Sequence, residues 1–335
     1  MVRTASHQAG TSRDRLDIRS EARWDLWFRP LKRWSASSSS SHLRQGIITS
    51  MSKGLTMSKG ASVRTVVTHR SLSERLRRAA DERQWALHYQ PVVDLEQADV
   101  IGVEALIRWQ DPVVGLIPPV DFLPLAEEMG LINAIGDWVF EEACRQSVAW
   151  REEGIDLEIA LNLSPRQLSQ PDLAEKVSAI LAASSTTPSQ IAVEITESAA
   201  MEDLERTSPV LWDLQNLGLR LAMDDFGTGY SSLSRLKHLP FHTLKIDRSF
   251  IRDIPRDPSS CGMVTAIMQL AHSLGMQSLA EGIETRDQWR FLADNFLTDA
   301  GYPQGQGFFF SRPVPASKIG VMLTSGLSMT DDVTP

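Results

Sequence analysis

Residues 219–225 read LRLAMDD, a short apolar run that ends in two adjacent aspartates. An apolar run of this length favours a buried β-strand. Similar runs occur along the chain at 85–93, 100–107, 157–163, 190–195, 243–246, 277–280 and 307–310. Eight strands spread over about 250 residues fit the size of a (β/α)8 barrel.

Stretches with helical spacing separate most of these runs. In 133–153, Ile135, Trp138, Val139 and Ala143 form an apolar stripe, and Gly154 supplies a stop signal. Alternating strands and helices favour an α/β fold with a parallel sheet, either open or closed into a TIM-like barrel.

Composition excludes several classes of protein. The chain has 335 residues with 42% hydrophobic content, which excludes disorder throughout, and a net charge of −8, which argues against binding of DNA or RNA duplexes. Its two cysteines cannot form a disulfide framework or a four-cysteine zinc site, so a reducing cytoplasm fits best. No apolar run approaches the roughly 18 residues of a membrane span.

The charge divides the chain into unlike parts. Residues 1–60 hold eleven basic and four acidic residues, a net charge of +7 that leaves −15 for the remainder. We expect a basic, serine-rich, disordered extension over 1–70, a folded domain over 71–320 and a flexible tail over 321–335. Met51 and Met57 are alternative translation starts.

Part of the extension has the spacing of a membrane-surface helix. Trp24, Trp27, Phe28 and Leu31 recur at helical intervals among basic residues, but Pro30 interrupts the pattern. A solvated leader is the favoured interpretation, and membrane contact is an open alternative.

Polar side chains lie within or at the ends of the predicted strands. They are Glu104, Asn162, Glu194, Asp224, Asp225, Lys245 and Glu281. The carboxyl ends of the strands of a barrel meet on one face, so we expect these groups to meet there. Buried carboxylates need a counter-charge, and an oxygen donor set suits Mg²⁺ or Mn²⁺. None of the seven histidines has the spacing of a zinc-binding helix, and His88, His238 and His272 are expected to pack or cap.

The pair Asp224–Asp225 indicates a specific chemistry. Neighbouring strand residues normally point to opposite faces, but both carboxylates can turn to one cavity if the strand has ended. Two metal ions sharing such a pair suit phosphodiester hydrolysis, with a nearby lysine either stabilising the transition-state charge or steering the attacking water. The loop that follows contains Gly227 and Gly229 but no P-loop lysine, so ATP chemistry is not indicated.

The motifs together resemble those of the EAL-domain cyclic di-GMP phosphodiesterases. GVEALIRW at 102–109, preceded by YQP at 89–91, is similar to the signature of that family. Further matches are NLSPRQL (162–168), VEITES (193–198), DDFGTGYSSL (224–233), LKIDRSFI (244–251), AEGIET (280–285) and QGFFFSRP (306–313). The resemblance implies a barrel whose first strand is antiparallel. It also implies hydrolysis of cyclic di-GMP to linear pGpG by two divalent ions, Mg²⁺ or Mn²⁺.

The resemblance also implies roles for individual residues. The implied metal ligands are Glu104, Asn162, Glu194, Asp224, Asp225 and Glu284. The implied catalytic residues are Glu281 as general base, Lys245 beside the attacking water and Glu197, which holds the 224–233 loop. The implied substrate contacts are Gln90, Leu106, Arg108 at a phosphate and Gln306, which closes the site. The sequence departs from the family pattern at Gly301–Tyr302–Pro303, which puts the local cleft shape in doubt.

Two other functions stay open at this point. One is a silent cyclic di-GMP receptor or protein-interaction scaffold with the same fold. The other is a metal-dependent barrel enzyme that acts on a carbonyl substrate with Lys245 as base. A homodimer is expected from the resemblance, and the first 70 residues are too few and too polar for a cyclase or sensory domain.

Overall fold

A computed structural model describes residues 61–228, 233–295 and 303–327, with side chains from residue 71 onward except that of Leu233. The predicted extension up to residue 60 and the tail after 327 lie outside these residues, as do Gly229, Gly301 and Tyr302. The described strands are β1 (Trp85–Asp94), β2 (Val100–Asp111), β3 (Gly115–Ile117), β4 (Glu158–Asn162), β5 (Ile191–Thr196), β6 (Arg220–Phe226), β7 (Thr243–Ile246), β8 (Gln277–Glu281), β9 (Gln304–Gln306) and β10 (Val314–Pro315).

Eight of these strands close into a barrel, as the sequence predicts. The sheet runs in the order β1-β9-β8-β7-β6-β5-β4-β2, and β1 pairs with β2 to close it. β1 is antiparallel to both of its neighbours in the ring, whereas β2 and the strands from β4 to β9 are parallel to one another. β3 and β10 pair with β2 and β1 outside the ring.

Helices surround the barrel. They are α1 (Ala61–Asp81), α2 (Leu123–Glu128), α3 (Ile132–Glu152), α4 (Pro165–Leu168), α5 (Leu173–Ser184), α6 (Glu197–Glu202), α7 (Leu204–Asn216), α8 (Leu233–Leu236), α9 (Arg248–Ile251), α10 (Pro258–Ser273), α11 (Arg286–Asn295) and α12 (Ala316–Ser325). The helix predicted over 133–153 is α3, and Gly154 follows it with a φ of 78°, so the stop signal is confirmed. α1 begins ten residues before position 71, and α12 continues five residues past position 320.

The strand predicted over 307–310 is wrong. The ninth strand is Gln304–Gln306, and 307–310 is a turn in which the Phe310 N–H donates to the Gly307 carbonyl. Gly307 lies so close to the backbone of Ile283 that a side chain could not fit there. The apolar character of this segment comes from Phe309 and Phe310, which pack against Trp289 rather than into a sheet.

The main core lies between the barrel and the helices. In β5, Ile191, Val193 and Ile195 belong to this outer core. The alternating positions carry Ala192 and Glu194, which face the lumen because successive strand residues point to opposite sides. This alternation sends one polar side chain from each of several strands into the lumen. Among the described helices, none is long and apolar enough to cross a bilayer.

Candidate active site

Lys245 lies at the centre of a buried polar cluster in the lumen. Its Nζ atom is 2.5 Å from Glu194 Oε2, 3.0 Å from Glu281 Oε1 and 3.4 Å from Asp224 Oδ1. Three consecutive strands from β6 to β8, together with β5, therefore bring one cation and three carboxylates together. Four of the seven polar residues that were expected to converge therefore lie together in the lumen.

The charges in this cluster determine its pKa values. Burial alone would lower the pKa of the Lys245 ammonium, but the surrounding carboxylates raise it well above its ordinary value. Burial raises the pKa of Glu194 well above its ordinary value against the attraction of Lys245, and Glu104 and Asp224 add to the rise. Because three carboxylates surround one ammonium, the electrostatics of the site favour binding of further positive charge.

Two amides hold Glu104 in place. Asn162 Nδ2 donates to Glu104 Oε1 at 2.8 Å, and Gln306 Nε2 donates to Glu104 Oε2 at 2.8 Å. Gln306 Nε2 also lies 3.2 Å from Glu281 Oε1, so this one amide joins β2 to β8 across the lumen. The Gln306 Oε1 atom is buried and has no hydrogen-bond partner among the described residues.

Asp224 and Asp225 reach the same cavity although the strand does not end before them. β6 continues to Phe226, but its register with β7 shifts between Met223 and Phe226, which marks a bulge. Asp225 has a φ of 55°, and its backbone N–H donates to Asp224 Oδ1 at 2.9 Å. This left-handed residue turns both carboxylates inward.

As a result, oxygen atoms of Asp224, Asp225 and Glu281 all lie within 4.8 Å of one another. All three side chains are buried. Carboxylate oxygens at this spacing are the donors that hard divalent cations prefer. The residues present therefore fit the metal centre expected from the sequence.

Glu197 holds the start of the loop after β6. It is the first residue of α6, where the Thr196 side chain accepts from the Ala199 N–H and caps the helix. Glu197 Oε2 accepts from the Gly227 N–H at 2.9 Å. Gly227 has a φ of 93°, and a Cβ atom there would lie 2.9 Å from the Phe250 ring.

Three of the four substrate-contact residues expected from the resemblance lie on the β1–β2 pair, and the fourth, Gln306, lies on β9. Gln90 is directly opposite Glu104, and Gln90 Nε2 donates to the Ser311 carbonyl at 3.1 Å. Leu106 and Arg108 lie farther along the same face of β2 and are half-buried. Burial lowers the pKa of the Arg108 guanidinium, against the effect of Glu104, and its Nη1 donates to the Ile107 carbonyl.

Among the metal ligands expected from the resemblance, Glu284 is the one that lies apart from the buried carboxylates. Its side chain is exposed, and it does not belong to the carboxylate group around Asp224. Its backbone N–H donates to Gln288 Oε1, which fixes the chain after β8 without directing the carboxylate inward.

His88, which the sequence predicts to pack or cap, stands two residues before Gln90 in β1 and shares its face. The ring is half-buried rather than part of the core.

Comparison with known proteins agrees with this geometry. The family model described as the EAL domain matches residues 73–313. The chain belongs to the EAL-domain family. EAL domains depend on divalent metals, and the acidic group described above is a place where such an ion could bind.

Curated relatives of this EAL chain include two with named activities. One is the bifunctional diguanylate cyclase/cyclic di-GMP phosphodiesterase MucR of Pseudomonas aeruginosa, 45% identical over 73% of this chain and 35% of MucR. Another is the cyclic di-GMP phosphodiesterase PdeR of Escherichia coli, 41% identical over 73% of this chain and 36% of PdeR. The chain thus spans about a third of the length of the curated relatives it matches.

Solved EAL structures share the fold. The MucR phosphodiesterase in complex with c-di-GMP superposes with a TM-score of 0.70 at 44% identity, covering 74% of this chain and 99% of that one. The EAL domain of Mycobacterium smegmatis DcpA gives a TM-score of 0.62 at 35% identity, covering 72% of this chain and 99% of that one. The barrel with an antiparallel first strand is therefore the fold of this family.

Proposed function

We propose that this chain hydrolyses cyclic di-GMP to linear pGpG, using two divalent cations, Mg²⁺ or Mn²⁺. The observation that carries the proposal is the convergence of Asp224, Asp225 and Glu281 within 4.8 Å beside the buried ammonium of Lys245. The cyclic di-GMP phosphodiesterase names of related proteins support the choice of substrate.

The cations would be held by residues already in place. Asp224 and Asp225 would hold them together with Glu104, Asn162 and Glu194, and Glu284 would have to turn inward to join. When bound, divalent cations neutralise the phosphate charge and lower the pKa of water. Without them, the buried carboxylates around Lys245 would repel an anionic dinucleotide.

The chain's own residues would carry out the remaining chemistry. Glu281 would take a proton from the attacking water, whose oxygen forms a bond to phosphorus as the bond to the ribose 3′ oxygen breaks. The leaving 3′ oxygen takes up a proton from solvent, Glu281 returns its proton to solvent, and the product keeps its 5′ phosphate. Lys245 would stabilise the negative charge that develops on the phosphate oxygens.

Residues on the cleft wall would bind the substrate. Arg108 would contact a phosphate, and Gln90 and Leu106 would line the nucleotide cleft. Gln306 would close the site from the β9 side. Glu197 would keep the loop after β6 in its active form through Gly227. A homodimer and a cytoplasmic location, where such a second messenger acts, complete the proposal.

The test is turnover by the purified chain. Cyclic di-GMP is incubated with the protein and Mn²⁺ or Mg²⁺, and the products are separated by chromatography. We expect pGpG with either metal and none after chelation with EDTA. The Glu104→Ala variant should also produce none, which excludes a contaminating enzyme.

The rival function makes a different prediction in the same experiment. If calorimetry shows tight binding of cyclic di-GMP but no pGpG forms with either metal, the chain is a receptor or scaffold and not a hydrolase.

A further inference from the structure

The face that carries Glu104 continues beyond the metal cluster along the β1–β2 pair. In the antiparallel register, Gln90 lies opposite Glu104, His88 opposite Leu106 and Ala86 opposite Arg108. Alternate residues of a strand share a face, so His88 lies on the same face as Gln90, between the metal cluster and Arg108.

The burial of β1 agrees with this placement. The residues on the other face, Leu87 and Tyr89, are buried in the outer core. The Tyr89 ring packs edge-on against the Trp150 ring, with 4.9 Å between the ring centroids. His88 itself is half-buried. It therefore forms part of the wall of the proposed nucleotide cleft and is partly open to it.

The surroundings of His88 fix its hydrogen-bonding character. Burial and the nearby Arg108 guanidinium lower the pKa of the His88 ring, which keeps the imidazole neutral at neutral pH. A neutral imidazole whose one nitrogen donates keeps its other nitrogen as an acceptor. The wall thus presents an acceptor beside the cation that would bind a phosphate.

We propose that His88 reads the base of the bound cyclic dinucleotide by accepting a hydrogen bond from an N–H of guanine. This rests on the proposed substrate and adds a specificity residue to the site. Guanine carries an N–H donor at N1, where adenine has an acceptor nitrogen, so an acceptor placed against N1 favours guanine. A site built to pair with a substrate N–H rejects analogues that lack it.

The segment after β9 supports this role. Gln90 donates to the Ser311 carbonyl, and His88 pairs with Pro315 across β1 and β10, so both residues of β1 adjoin this segment. The same segment carries Arg312, whose guanidinium lies 4.2 Å from the centroid of the Phe308 ring. The backbone that carries His88 is therefore held on both sides, by β2 and by β10.

The test compares two substitutions of His88 with a control. His88→Phe keeps an aromatic ring but has no acceptor, whereas His88→Gln keeps a donor and an acceptor. His272→Ala removes an exposed histidine at the end of α10 and serves as the control. The substrates are cyclic di-GMP and the mixed cyclic dinucleotide of guanine and adenine, and circular dichroism confirms folding of each variant.

We expect His88→Phe to raise the KM for cyclic di-GMP about fivefold to tenfold, the effect of one lost hydrogen bond, with little change in kcat. Its preference for cyclic di-GMP over the mixed dinucleotide should fall by a similar factor, and His88→Gln should restore most of it. A purely structural role would not change the preference between bases. An unchanged KM and preference in folded His88→Phe would overturn the inference.

The same proteins separate this inference from the proposed function. If the wild-type chain binds cyclic di-GMP without turnover, hydrolysis is refuted and His88 is judged on the dissociation constants of the two dinucleotides. If the wild-type chain turns over and the His88 variants match it, only the role of His88 is refuted. If the wild-type chain neither binds nor hydrolyses cyclic di-GMP, both are refuted.

Discussion

Lys245 Nζ lies 2.5 Å from Glu194 Oε2, and the two side chains are only 1% and 2% exposed. Both charged groups are shielded from solvent, and carboxylate oxygens of Glu281 and Asp224 also lie within 3.4 Å of the same ammonium. A buried charge persists only when it is paired, so these carboxylates and Lys245 depend on one another. The cluster serves stability as well as chemistry.

Replacing Lys245 with Met should therefore harm both properties. The variant leaves three carboxylates without their cation, which we expect to lower the free energy of unfolding by about 3–5 kcal/mol and to abolish turnover. Urea denaturation measures the first effect and pGpG formation the second. The control is Arg83→Ala, which breaks an exposed ion pair with Glu141 and should cost below about 1 kcal/mol. Equal losses in the two variants would contradict the buried pairing.

Glu281→Gln should separate binding from chemistry. The amide keeps the size of the side chain and a hydrogen-bonding group near Gln306, but it cannot accept a proton from water. We expect kcat to fall by about 10²–10⁴-fold while the dissociation constant of cyclic di-GMP stays near the wild-type value. Single-turnover kinetics and calorimetry measure the two quantities, with exposed Glu205→Gln on α7 as the control. A parallel fall in binding and turnover would refute the base role.

The sequence predicts the barrel and most of the site because both follow from simple periodicities. Seven of the eight predicted runs overlap observed strands of the ring, and their lumen-facing polar residues meet because parallel strands share one end. The bulge at Asp225 depends on a left-handed backbone angle that a run of residue types does not reveal. The sequence does not reveal the turn at 307–310, because a short run of buried aromatic residues has the same pattern in a strand as in a turn that packs against a helix. The outward side chain of Glu284 depends on how Gln288 anchors the local backbone.

Gly227→Ala should uncouple the catalytic loop from the barrel. Gly227 has a φ of 93°, and its N–H donates to Glu197, so an added Cβ is strained and meets the Phe250 ring. We expect a loss of about 1–2 kcal/mol in stability and a larger proportional loss of turnover. Gly262→Ala is the matched control, since that glycine occupies an exposed position of α10 with open space around it and should gain rather than lose stability. Wild-type turnover in Gly227→Ala would show that the Glu197 contact does not control the loop.

Asp111 links the helix before the barrel to the strand that carries Glu104, and this link should respond to pH. Burial would raise the pKa of Asp111, but its hydrogen bond from Arg75 and those from the Val114 and Val113 N–H groups outweigh burial and lower it. A carboxyl group whose pKa is lower when folded adds stability above its unfolded pKa, near 3.8, and loses it as the pH falls through the folded value. Asp111→Asn should therefore cost about 1–3 kcal/mol at pH 7, and the gap to the wild-type protein should narrow below about pH 4. Urea denaturation between pH 3 and 7 measures this gap, with exposed Asp213→Asn on α7 as the control. A gap that stays constant down to pH 3 would mean that the charge of Asp111 does not hold α1 against β2.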